Sequence, residues 1–181
     1  MSNERRIRNL ALTGFMGSGK SSVGHAVAKR LGFEFLDTDH LIERRAGLSI
    51  PEIFDRPGEA AFRELEREVV EELATRERIV ISTGGGVGAN PGLLASLKTH
   101  ALVIWLWASP ETIWERVRRQ THRPLLYVGD PESRIRELLA QREPLYRQAD
   151  VLLNAEVRQT AEVADQVVHQ FRLFTQFEAD E

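Results

Sequence analysis

Gly14-Phe15-Met16-Gly17-Ser18-Gly19-Lys20-Ser21 stands between an apolar run, residues 7–13, and a segment of helical period, residues 20–31. Strand, glycine-rich turn and helix in that order give the G-x-x-x-x-G-K-[ST] pattern a physical meaning. Glycines let consecutive amides turn inward around phosphate oxygens without side-chain clashes, and the helix that follows points its positive end at them. Lys20 is then placed to reach the β- and γ-phosphates of a nucleoside triphosphate, and the Ser21 hydroxyl to join a magnesium shell. The alternative is a chance glycine turn. Lysine is scarce, however: 21 of the 24 basic residues are arginine, and one of only three lysines (Lys20, Lys29, Lys98) falls at the required position. The same bias makes any single arginine a weak signal.

Outward from this loop, short apolar runs alternate with helix-period segments. Strands are predicted at 7–13, 33–36, 79–82, 101–108 and 151–153, and helices at 20–31, 59–76, 110–119, 131–141 and 160–174. Gly32 stops the first helix, and Ser49 and Glu52 have the spacing of a capping box opening a short helix through Phe54. Pro144 is expected to end or kink the helix that carries Arg142. Apolar strands alternating with helices imply an α/β protein, a parallel sheet covered on both faces. Ligands of such sheets sit beyond the carboxyl ends of the strands. Here those ends carry Gly14 to Ser21, Asp37 to Asp39, and Gly84 to Gly86.

The length, 181 residues, suits one domain over 1–181, with a mobile lid expected at about 120–130 and a frayed tail at 175–181. A net charge of −3 argues against a nucleic-acid or anionic-membrane partner, and the absence of cysteine excludes disulfides and thiolate metal sites. The polar N-terminus has no apolar core for a secretory signal, and the run 101–108 is too short to cross a bilayer. A cytoplasmic monomer is the expectation.

Other constellations have two readings each. Asp37-Thr38-Asp39 follows the second strand; in extended backbone both carboxylates would face the phosphate loop, one near the metal and one near an attacking hydroxyl. The alternative is an ordinary strand-end turn. Gly84, Gly85 and Gly86 form either a flexible turn or a place where backbone approaches a ligand closely. Arg63, between Glu59 and Glu66, reads equally as an exposed helix ion pair. Arg142 follows Leu138 and Leu139 on the apolar stripe of its helix, so it needs an anion there, a ligand or a structural carboxylate. Arg116, Arg118, Arg119 and Arg123 form either a solvated basic face or a loop that neutralises transferring phosphate. Trp105, Trp107 and Trp114 are assigned to packing.

Taken together, GFMGSGKSS, DTD, GEAAFRELE, STGGG, RPLL and REPLYRQAD, in this order from about Leu10 to Asp150, resemble the shikimate kinase family. The resemblance implies a P-loop kinase of the nucleoside monophosphate kinase-like type with a five-stranded parallel sheet. It implies transfer of the ATP γ-phosphoryl group to the 3-hydroxyl of shikimate, with Mg2+. Gly17, Ser18, Gly19, Lys20, Ser21 and Ser22 would bind ATP, with Arg119, Arg123 and Arg158 completing the site. Ser21 and Asp37 would serve the metal. Asp39 would hold the shikimate hydroxyls and act as base, Arg63 and Arg142 would pair with its carboxylate, and Gly84 to Gly86 would add backbone contacts. Lys20, Asp39 and Arg123, the lid arginine, would carry catalysis, and Glu66 would orient Arg63. Ser22 stands where the family usually has threonine. The rival readings are a kinase for another hydroxylated acid such as gluconate, a silent nucleotide-binding regulator, and an ATPase motor.

Overall fold

The computed structural model describes residues 5–118, 130–156 and 158–175. Arg119, Arg123 and almost all of the expected lid and tail lie outside these residues.

Five strands, β1 (Asn9–Thr13), β2 (Glu34–Asp37), β3 (Ile79–Ser82), β4 (Ala101–Trp107) and β5 (Val151–Asn154), form one parallel sheet in the order β2-β3-β1-β4-β5. β1 is central, and every residue of it is buried. Alternating residues take opposite faces. Leu10, Leu12, Val80, Leu102 and Ile104 pack against α1 (Lys20–Leu31) and α8 (Thr160–Thr175) on one side, with Val23, Val27, Val163 and Val167 from those helices. On the other side Ala11, Ile79, Ile81 and Val103 pack against α2 (Thr38–Ala46), α3 (Ile50–Asp55), α4 (Glu59–Leu73) and α5 (Pro91–Lys98). A third cluster joins Phe15 and Trp105 to α6 (Pro110–Val117) and α7 (Pro131–Tyr146). Trp105 is fully buried there, with Trp107 and Trp114 packed at its edge, as the packing assignment required.

Two helices were not anticipated. α2 begins directly at the end of β2: Asp37 is its N-cap, accepting from the Asp39 amide at 3.0 Å, so only Asp37 of the DTD segment is extended, and Thr38 and Asp39 begin a helix. The helix uses an aspartate that turn statistics place equally well in a loop. α5 starts at Pro91 behind Asn90, whose side chain accepts from Gly92 and Leu93 amides. Pro144 does not stop its helix; α7 continues to Tyr146. A proline costs a helix about 3 kcal/mol, and burial of the Tyr146 ring against Trp105 (centroids 5.8 Å apart) holds the last turn.

Candidate active site

The phosphate loop leaves β1 at Gly14, and Gly17 and Gly19 take φ of 76° and 99°, values that side chains with a Cβ rarely adopt. Gly19 caps α1, whose first turn carries no acidic residue to compete with an anion. Lys20 is buried, and its Nζ donates to the Gly14 and Phe15 carbonyls, each at 2.9 Å. The ammonium is thereby held across the mouth of the loop. The Ser18 hydroxyl is buried inside it and has no partner among the described residues.

A cleft of about 450 Å³ opens over this loop at the carboxyl ends of the strands. Residues 17–22, Asp37, Asp39, Gly84, Gly85 and Arg158 line it. Arg116, left above among basic-face candidates, also lines it: its guanidinium donates to Ala155 O at 2.8 Å and Gly17 O at 3.4 Å. Ala155, directly after β5, and Thr160 and Val163 in the first turn of α8 also line that wall and belong to no motif.

Beside the loop, Ser21 Oγ donates to Asp37 Oδ2 at 3.3 Å, and Ser82 Oγ lies 3.5 Å from Ser21 Oγ. Among the described residues no group of three or more His, Cys, Asp or Glu side chains could hold a metal ion. One carboxylate with hydroxyls is an oxygen-only set, suited to a magnesium ion that keeps water and phosphate as its other ligands.

On the opposite side three glycines each face a different charged side chain. A Cβ on Gly84 would lie 2.3 Å from Asp39 Oδ1, one on Gly85 3.3 Å from Arg142 Nη1, and one on Gly86 2.8 Å from Arg63 Nη1. Arg63 and Arg142, 79 positions apart in sequence (142 − 63), thus converge on one loop. That loop is anchored at one end by the Gly84 amide, which donates to the buried Thr38 Oγ1 at 2.7 Å. Arg63 donates to Glu66 Oε2 at 2.9 Å and to Glu59 Oε1 at 3.2 Å. Glu66 is itself buried, and burial raises its pKa although Arg63 opposes the shift. Arg142 lies over the Phe15 ring, Cζ 5.6 Å from its centroid. Asp39 has its pKa raised from 3.8 to about 6, chiefly by burial and then by the neighbouring Asp37, with Lys20 opposing. A carboxylate tuned upward in this way is a competent proton acceptor near neutral pH.

The family model for shikimate kinase matches residues 16–172. A shikimate kinase of Caldanaerobacter subterraneus subsp. tengcongensis is 46% identical over 165 residues, covering 91% of this chain and 96% of that one. Among solved structures, a shikimate kinase from Acinetobacter baumannii in complex with shikimate superimposes with a TM-score of 0.85 at 37% identity, covering 96% of each chain. A gluconokinase from Sinorhizobium meliloti is similar at a TM-score of 0.62 but only 22% identity, which speaks for a shared fold alone.

Proposed function

Because the chain belongs to the shikimate kinase family, we infer that it transfers the ATP γ-phosphoryl group to the 3-hydroxyl of shikimate, yielding shikimate 3-phosphate and ADP. The observation that carries the acceptor is the convergence of Arg63, Arg142 and Asp39 on Gly84 to Gly86. Two guanidinium groups offer a carboxylate paired donors in a planar fork, and Asp39 faces the same space with an oxygen able to take a hydroxyl proton. Glu66 orients Arg63.

In this reading the ATP phosphates would occupy the loop at residues 14–21, with the base toward Arg116, Ala155 and Arg158, which line the same cleft. Ser21 and Asp37, with Ser82 close by, would hold Mg2+, which would supply positive charge against the phosphates. Lys20 leaves its loop carbonyls for the β- and γ-phosphates. As the 3-hydroxyl oxygen forms its bond to the γ-phosphorus, its proton passes to Asp39, and the bond to the β-phosphate oxygen breaks to release ADP. Arg123 and Arg119 are assigned to ATP on motif position alone. Among the described residues no helix is long and apolar enough to cross a membrane.

Coupled ADP release measured with shikimate, gluconate, nucleoside monophosphates and no acceptor tests the reading. Shikimate alone should support turnover. Arg63→Ala and Arg142→Ala should each raise the KM for shikimate and leave that for ATP. Loss of one partner of a buried charge pair costs roughly 2–5 kcal/mol. Turnover with gluconate equal to that with shikimate would overturn the acceptor assignment.

A further inference from the structure

Four residues after Arg142, at the end of α7, Tyr146 is fully buried yet carries a polar group. Its ring stacks on Trp105 at an interplanar angle of 30°, and a Cβ on Gly88 would come within 3.1 Å of its Cε1, so the ring has one place to be. The hydroxyl donates to Gly85 O at 3.0 Å, and Arg142 stands near enough to oppose the rise in the phenol pKa that burial causes. Burial raises the phenol pKa, so the donor remains in place across any ordinary assay pH. Gly85 is the glycine whose missing Cβ leaves room for the Arg142 guanidinium. The hydroxyl therefore holds the carbonyl of the same glycine that the Arg142 guanidinium faces, on a ring packed against Trp105.

We propose that Tyr146 is a positioning residue for the acceptor, its hydroxyl fixing the Arg142 guanidinium against the Gly85 backbone so that the carboxylate meets a preset donor pair. The inference rests on the assignment of the shikimate carboxylate to Arg142. A preset guanidinium loses less freedom on binding. The carboxylate lies away from the reacting hydroxyl, so the gain falls on substrate affinity and not on the chemical step.

Tyr146→Phe keeps the ring and removes only the hydroxyl. The KM for shikimate should rise about ten-fold, the equivalent of one hydrogen bond to a charged group. The turnover number and the KM for ATP should change less than about two-fold. In the double variant with Arg142→Ala the rise should fall short of the product of the two single rises, because the residues act together. A Tyr146→Phe protein with a lowered melting temperature and unchanged KM for shikimate would make the hydroxyl a packing feature and overturn the proposal, as would multiplicative effects in the double variant. An unchanged KM in Arg142→Ala alone would instead remove the carboxylate assignment on which the proposal stands.

Discussion

Asp39 carries a carboxylate that the fold keeps largely from water, and Asp39→Asn separates what that arrangement costs from what it does. Its pKa is raised from 3.8 to about 6. The difference is about two pH units, each worth about 1.4 kcal/mol, so holding the ionised form in the folded protein costs up to about 3 kcal/mol. The sign follows from proton binding. Between pH 3.8 and about 6 the folded protein binds this proton more readily than the unfolded chain, so the group's penalty is complete above about pH 6 and fades as pH falls toward 4. Asparagine carries no such penalty. In urea unfolding without ligands at pH 8 the variant should be the more stable protein, by up to about 3 kcal/mol, and the gap should nearly close at pH 4. Its turnover in the coupled ADP assay should fall by roughly 10²–10⁴, the range for losing a positioned base. The wild type's kcat/KM for shikimate should decline below about pH 6. A variant that is less stable than wild type at pH 8, or that turns over normally, would refute the reasoning.

Asp37→Asn should raise the magnesium concentration needed for half-maximal rate with little change in the KM for shikimate, since a neutral amide is a poorer partner for a hydrated cation; magnesium titrations check it. Gly84→Ala should melt near the wild-type temperature but lose most turnover, because the added methyl meets the far end of a side chain, Asp39 Oδ1 at 2.3 Å, and not backbone. Melting curves and the ADP assay on the same sample decide that. His100, buried and near Arg8 and Arg5, has its pKa lowered from 6.5 to about 4, first by burial. Its contribution is complete above about pH 6.5 and is lost as pH falls toward 4, up to about 3 kcal/mol. His100→Asn should therefore flatten the acid side of the stability profile in urea unfolding, opposite in direction to the Asp39 effect over the same window.

The phosphate loop, the parallel sheet and the helices on either side were legible because each has a local cause: glycines at fixed offsets, apolar runs, and Gly32 or a capping box at helix ends. The helix behind Asp37 was not, since an aspartate after a strand serves a turn and a cap equally. The helix behind Asn90 carried readable signals, an asparagine cap and Pro91, in a segment otherwise dominated by small residues. The persistence of α7 through Pro144 depends on Tyr146 finding Trp105 and Gly85, contacts that no local pattern records. In the site, individual residues could be named from motifs, but the meeting of Arg63 with Arg142 depends on packing α4 and α7 around one loop. Arg116 was obscured by its arginine-rich neighbours.

The loop at Gly84 to Gly86 bears on how this protein can vary. A side chain gained at Gly84 collides with the movable end of Asp39, which can swing away at little cost to folding. Such changes would pass any filter that tests only whether the chain folds, including chaperone triage and proteolysis. They would be removed only by a demand for the reaction product. In a lineage supplied with that product from outside, Gly84 should therefore be among the first positions to drift, while Thr38 and Tyr146, whose hydroxyls hold the loop's backbone, change later.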